Sequence, residues 1–90
     1  MKEFEFILKF AFAESSADAS DYTERLAEAG CEDALIGIGQ KGRIALDFCR
    51  EATSAIEAVS SAIHDVKKTI PGAKLIHASP LHPHYKNHYL

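Results

Sequence analysis

The feature that most constrains the fold is an alternation of apolar and polar side chains over residues 2–13. Large apolar residues occupy every second position there: Phe4, Phe6, Leu8, Phe10 and Phe12. A period of two residues is that of a β-strand with one buried face. This strand predicts a core built on one side of a sheet, so other elements must cover its aromatic face.

Two later segments carry helical signals. After Asp18, which can cap a helix N-terminus, apolar residues recur at helical spacing until Gly30, which can end the helix in the left-handed conformation. The second helix begins at the capping box Ser54-x-x-Glu57 and ends before Pro71. Its predicted core stripe follows spacings of three and four residues: Ile56, Val59, Ile63, Val66 and Ile70. We expect this stripe to cover the phenylalanine face.

Between the helices the sequence predicts a β-hairpin. Residues 33–38 and 43–49 both alternate, and residues 40–42 fit a three-residue turn with Gly42 in the left-handed region. The resulting register makes one face of the hairpin apolar throughout. It pairs Ile38 with Ile44, Ile36 with Leu46, and Ala34 with Phe48.

A fourth strand is predicted at residues 73–78, and Pro80 and Pro83 disfavour sheet pairing beyond it. The element order predicts an α+β, ferredoxin-like β-α-β-β-α-β sandwich. Right-handed crossovers place both helices on one face of a four-stranded antiparallel sheet. We assign residues 1–79 to this single domain and residues 80–90 to a C-terminal tail containing His and Pro.

The sheet face without helices is the predicted contact surface. Odd-numbered residues of the first three strands place apolar and charged side chains on it. A partly apolar, exposed sheet face is typical of a protein contact surface. The predicted partner-binding residues are Ile7, Lys9, Leu35, Gly37, Arg43, Ala45 and Asp47. Arg43 and Asp47 are expected to form a solvated ion pair or part of the interface.

Two nucleotide-binding motifs have partial matches in the hairpin. Residues 37–42 match the dinucleotide fingerprint G-x-G-x-x-G, but that motif needs a helix where residues 43–49 predict a strand. Residues 41–48 resemble the main RNA-contacting sequence of RRM domains, where aromatic residues on the open face stack on bases. Arg43 and Ala45 occupy those positions here, and the net charge is −3. We therefore expect no direct contact with nucleic acid.

The sequence shows no catalytic pattern, so we predict no enzyme activity and no cofactor. Cys31 and Cys49 lack Cys-x-x-Cys spacing, so both are expected to be reduced. Neither has a convincing His base nearby in sequence, which leaves only a spatial neighbour to activate a cysteine nucleophile. His84 and His88, four residues apart in the tail, are the candidate metal ligands if that segment forms a helical turn. Adventitious metal binding by a flexible tail is the alternative.

The sequence also bears on location. No apolar run is long enough to span a bilayer. The N-terminus alternates instead of forming the continuous apolar segment of a signal peptide. We expect a cytoplasmic protein without membrane contact.

Five phrases of the sequence together resemble a known family. They are residues 30–40, 42–48, 50–52 and 70–73, and Ala78-Ser79-Pro80. Across most of residues 3–80 the pattern is similar to the N-terminal accessory domain of small bacterial excisionase-like or MerR-like helix-turn-helix DNA-binding regulators. In those proteins the Ala-Ser-Pro phrase leads into the helix-turn-helix, whereas here LHPHYKNHYL follows Pro80. The resemblance implies dimerisation or partner binding, without the DNA-contacting element or catalytic residues.

The function predicted from these observations is a non-enzymatic protein-binding or dimerisation module of regulatory, antitoxin or immunity-inhibitor type. It would act through the open sheet face, on a protein partner or on a second copy in a homodimer. An immunity protein that neutralises a toxin would suit a compact acidic chain, because charge steers its encounter with a basic partner. Two alternatives are a small-molecule or metal sensor using the His-rich tail, and a regulator fragment whose partner supplies the DNA-binding part.

Overall fold

The computed structural model describes residues 2–14, 18–37, 41–79 and 82–83. Its strands are β1 (Lys2–Ala11), β2 (Ala34–Gly37), β3 (Arg43–Ala52), β4 (Lys74–Ala78) and the short β5 (His82–Pro83). Its helices are α1 (Thr23–Glu28), which follows a 3-10 turn at Ala19–Tyr22, and α2 (Ala55–Thr69). The result is a mixed α+β fold whose antiparallel sheet has the order β2-β3-β1-β4, with β5 also pairing with β1.

Strand β1 is the centre of the sheet. It pairs with β3 along its whole length, from Lys2 opposite Ala52 to Ala11 opposite Arg43. The alternation seen in the sequence holds, because the even-numbered face of β1 is buried against the helices together with Phe12. The strand ends two residues earlier than predicted, and the Phe12 amide then donates to the Gly42 carbonyl at 2.8 Å.

The hairpin has the predicted register. Ala34 lies opposite Phe48 and Ile36 opposite Leu46. Gly42 has a φ of 80°, the left-handed conformation that the turn required. The expected pair of Ile38 with Ile44 lies outside the described residues. Strand β3 runs three residues beyond its predicted end, because its last residues pair with the start of β1.

The buried side of α2 differs from the predicted stripe. Ala58, Ala62 and Val66 are fully buried, and Ile70 is buried just past the helix end. Val59 and Ile63 pack at the margin of the core, whereas Ile56 is 79% exposed. The prediction was wrong for Ile56 because it weighted large apolar residues only. The phenylalanines already fill the space above the sheet, so small residues on α2 allow the helix to approach it.

Both predicted N-caps are present. Asp18 Oδ1 accepts from the Ser20 amide at 3.0 Å, although it caps the 3-10 turn and not an α-helix directly. Ser54 Oγ accepts from the Glu57 amide at 3.1 Å. In a capping box the Glu57 carboxylate would accept from the amide of the N-cap, Ser54. Here it accepts from the Thr53 amide, one residue earlier, and this hydrogen bond lowers the pKa of Glu57. Among the described residues, neither helix is long and apolar enough to cross a membrane.

Sheet pairing continues beyond Pro80, contrary to the expectation from the two prolines. Pro83 lies opposite Phe4 and His82 opposite Glu5, on the edge of β1 that β4 also occupies. An edge strand tolerates proline, because the missing N–H need not face its neighbour. Ser79 joins β4 to β5: its hydroxyl oxygen accepts from the Ile7 amide and its amide donates to the Ile7 carbonyl, both at 2.8 Å. The domain boundary at residue 79 stays a prediction.

We expect Val66→Ala and Ile56→Ala to differ in stability, although both shorten an apolar side chain on α2. Val66→Ala leaves a cavity in the core and should lower the free energy of unfolding by about 2 kcal/mol. Ile56→Ala removes an exposed side chain and should change it by less than about 0.5 kcal/mol. Urea denaturation measures both values. Equal losses in the two variants would contradict the observed burial of α2.

Candidate protein-interaction face

The sheet face opposite the helices is formed by alternate residues of its strands. We call it the open face and define it by Glu3, Glu5, Ile7, Lys9, Ala11, Leu35, Gly37, Arg43, Ala45, Asp47, Cys49 and Glu51, with Lys74 and His77 of β4. Cross-strand pairing aligns these residues in rows. One row is Leu35, Asp47 and Ile7, and the next is Gly37, Ala45 and Lys9.

All seven residues predicted to bind a partner therefore lie on one continuous surface. Arg43 extends it by one further row, opposite Ala11. Leu35 is the most prominent apolar group, with 77% of its surface exposed, while Ile7 and Ala45 beside it are half-buried. The structure brings these side chains together, and their binding role stays a prediction.

Arg43 and Asp47 do not pair with each other. Only Ala45 separates them on the open face, but four residues of extended strand span about 13 Å. The described ion pairs both belong to Arg50 instead. The expectation of a solvated Arg43–Asp47 pair was therefore wrong, and the alternative that both belong to an interface stays a prediction.

Charge on the open face is sorted by sign along the strands. Three glutamates, Glu3, Glu5 and Glu51, form an acidic end, and Glu3 lies directly opposite Glu51. Three cations, Lys9, Arg43 and Lys74, form a basic end, where Ala11 pairs with Arg43 on one side and Lys74 on the other. Like charges on neighbouring strands repel. Each end is thus a local excess of one sign that an opposite charge would stabilise.

A shallow depression of about 300 Å³ lies beside the acidic end. It is lined by Glu5, Glu32, Asp33, Ala34, Leu35, Asp47 and Cys49. Burial, followed by the charge and hydrogen bond of Glu3, raises the pKa of the Cys49 thiol from 9.0 to about 11. A protonated thiol is a poor nucleophile and a poor metal ligand. Within the described part of the chain, no group of three or more His, Cys, Asp or Glu could hold a metal ion. The candidate ligands His84 and His88 lie outside the described residues.

The second cysteine is also protonated at neutral pH. Cys31 is buried in the core, and its burial followed by the charge of Asp65 raises the pKa of its thiol to about 11. Both thiols are free, as expected from the sequence.

Beneath the acidic end lies a buried arginine that the sequence patterns did not reveal. Arg50 follows Phe48 on the core side of β3 and is only 7% exposed. Its Nε and Nη2 donate to the two carboxylate oxygens of Asp33, at 2.7 and 3.1 Å. Its guanidinium carbon lies 5.0 Å from the centre of the Phe48 ring. The fixed fork of donors makes this a bidentate pair.

The remaining donors of Arg50 reach the two helices. Nη2 donates to the Gly30 carbonyl at 2.8 Å, just past the end of α1. On α2, Nη1 donates to Ser61 Oγ at 3.0 Å and lies 3.1 Å from Asp65 Oδ2. Burial alone would lower the pKa of Arg50, but the hydrogen bonds and charges of Asp33 and Asp65 outweigh it and raise the pKa. One permanently charged side chain on β3 therefore binds α2, the turn that follows α1 and the loop before β2.

This network also explains Gly30. Its φ of 114° is one that side chains other than glycine rarely adopt. A Cβ at that position would meet Asp65 Oδ2 at 2.9 Å, closer than such atoms approach. The sequence reading of Gly30 as a helix terminator was correct but incomplete, because glycine also leaves room for the carboxylate.

Comparison with protein-family models, curated proteins and solved structures finds no match to this chain. The resemblance to excisionase-like or MerR-like regulators stays a prediction.

We expect Arg50→Met to destabilise the chain far more than Arg43→Met. Methionine keeps the aliphatic length but leaves Asp33 and Asp65 partly buried without their cation. Loss of one member of such a cluster should lower the free energy of unfolding by about 2–3 kcal/mol. Arg43 lies on the exposed side of the same strand, and its replacement should change that energy by less than about 0.5 kcal/mol. Urea denaturation of both variants tests this, and similar midpoints would contradict it.

Both thiols should react slowly in the native protein. A pKa near 11, compared with 9.0 in the unfolded chain, lowers the thiolate fraction at neutral pH about 100-fold. The rate of reaction with Ellman's reagent at about pH 8 should therefore rise by at least that factor on unfolding in urea. Since the folded pKa is the higher one, these thiols stabilise the fold fully below about pH 9 and less as pH rises toward 11. The variant with both cysteines replaced by Ala should lose less stability across that interval. A native reaction as fast as the unfolded one would contradict the raised pKa values.

Proposed function

We propose that this chain is a non-enzymatic protein-binding module that uses the open face as its contact surface. The observation that carries the proposal is the combination on one continuous sheet face of an exposed Leu35, half-buried Ile7 and Ala45, and charges sorted by sign along the strands. Exposed apolar groups rimmed by charge are characteristic of protein contact sites.

We also propose that the fold is ferredoxin-like. The chain order β-α-β-β-α-β and the antiparallel order β2-β3-β1-β4 support this assignment. Both helices share one core with a single face of the sheet. That arrangement leaves the other face for recognition.

The biological context we propose is regulation or inhibition, as in regulator accessory domains, antitoxins and immunity proteins. The resemblance in sequence supports the first of these. The depression with its carboxylates Glu5, Glu32 and Asp47 supports a partner with basic side chains at that position. The raised pKa of both thiols argues against catalysis by a cysteine nucleophile. Two free thiols also support a cytoplasmic location, because oxidising compartments favour disulfides.

The proposal is tested by Leu35→Asp, with Ile56→Asp as a matched control. The two residues are almost equally exposed, at 77% and 79%, but Ile56 lies on α2, which packs on the opposite side of the sheet. A buried charge at an interface centre should reduce partner capture at least about tenfold. Asp at the start of α2 is compatible with the helix dipole, so the control should stay folded and retain the partner.

The measurement is affinity purification of the tagged chain from its host, with mass spectrometry and a second, differently tagged copy expressed beside it. This scores both foreign partners and self-association. Circular dichroism should show that both variants keep the native fold. The open face is not the contact surface if Leu35→Asp retains every partner, or if Ile56→Asp loses the same partners to the same extent.

A further inference from the structure

We propose that the open face binds a second copy of this chain, face to face, with the strands of the two sheets antiparallel. The two-fold axis would run across the strands. This inference rests on the proposed function, since it uses the same surface and names the partner.

The separation of charge along the strands carries the inference. The acidic end, Glu3, Glu5 and Glu51, and the basic end, Lys9, Arg43 and Lys74, lie on either side of the row that contains Leu35 and Ile7. Each end contains like charges on adjacent strands, which repel one another within one copy. If a second copy is turned so that its strands run in the opposite direction, its acidic end faces the basic end of the first copy.

Symmetry then selects the orientation. A two-fold interface uses the same patch on both copies, so a residue that contacts a second residue is itself contacted in return. An axis parallel to the strands would place the acidic end on the acidic end. An axis across the strands places the acidic end of each copy on the basic end of the other. It also places β3 of one copy over β3 of the other. Glu51 then faces Arg43 of the second copy, and the contact occurs twice.

The central row suits a self-contact as well. Leu35 and Ile7 would meet their own symmetry mates, and the neighbouring Gly37 and Ala45 leave the surface flat enough for close approach. Asp47 also lies in this row, where its mate would repel it. Lys9 is its diagonal neighbour across the β1–β3 pair, about 7–8 Å away, and offsets that repulsion.

The area of the face sets the expected strength. The four main strands present about 900 Å² for two copies together, from a strand spacing of about 4.8 Å and a rise of about 3.3 Å per residue. Interfaces of this size are small and reversible. Association should therefore depend on concentration and weaken as salt screens the charges.

The test uses two opposite charge reversals on β3, Arg43→Glu and Glu51→Arg. Each alone places like charges against each other twice in the dimer and should weaken self-association roughly tenfold or more. The double variant restores both contacts and should dimerise like the original chain. A mixture of the two single variants should form a heterodimer, because each then supplies the charge that the other needs. Sedimentation velocity over a concentration series measures all four samples.

Four results would overturn the inference. The first is that the original chain is monomeric at every concentration. The second and third are that the single variants associate as tightly as the original chain, or more tightly. The fourth is that the single variants associate more weakly but neither the double variant nor the mixture restores association. Circular dichroism checks that each variant is folded. If one of them fails to fold, Lys9→Glu is tested in its place. The self-association of the unmodified chain is then also measured as a function of salt concentration. Association through the proposed face should weaken at high salt, and association that strengthens there would contradict it.

Failure of this inference is distinguishable from failure of the proposed function. Suppose that the chain is monomeric but captures a foreign protein, and that Leu35→Asp abolishes this capture. The open face is then a binding surface, but its partner is not a second copy. If Leu35→Asp dimerises with unchanged affinity and also retains every foreign partner, both the inference and the proposed function are excluded.

Discussion

The clustering of Asp33, Asp65 and Ser61 around Arg50 is the interaction on which the arrangement of elements depends. The core holds one face of the sheet against the helices, but apolar contact is not directional and does not fix where a helix ends or where a loop crosses. The guanidinium does so, because its donors have a fixed geometry and bind the turn after α1, α2 and the loop before β2 at once. The buried charge is tolerable only while these partners are in place.

The two faces of the sheet consequently have different tasks. The even-numbered side chains of β1 and β3 supply the aromatic and aliphatic core, and the alanines of α2 allow the helix to lie close to them. The odd-numbered side chains contribute little to that core and are free to vary in charge. If the open face is the contact surface, as proposed, stability and recognition depend on alternate residues of the same strands. A substitution on one face can change binding without loss of the fold.

Much of the fold could be predicted because its signals are local. The alternation of β1, the caps at Asp18 and Ser54 and the turn at Gly42 each depend on a few neighbouring residues. Three features depended on tertiary contacts and were missed or misread. Ile56 is exposed because the large side chains of the sheet pack against the small residues of α2, so that the buried side of the helix is the one with alanines. The partners of Arg50 lie 11 to 20 residues away in sequence, and β5 pairs despite Pro83. The residues of the open face followed from strand parity, whereas their sorting by charge required the cross-strand register.

The position of β5 has a consequence for how the chain behaves among its neighbours in solution. Strand β4 covers the outer edge of β1 only from Leu8 to Ala11. Ser79 and β5 then satisfy backbone groups at Ile7 and at Phe4 and Glu5 along the same edge. An uncovered edge here would present unpaired N–H and C=O groups on a strand rich in phenylalanine, which is a template for strand addition and aggregation. Ser79 and β5 therefore protect this edge of the sheet from strand addition, which lets the chain keep so apolar a central strand.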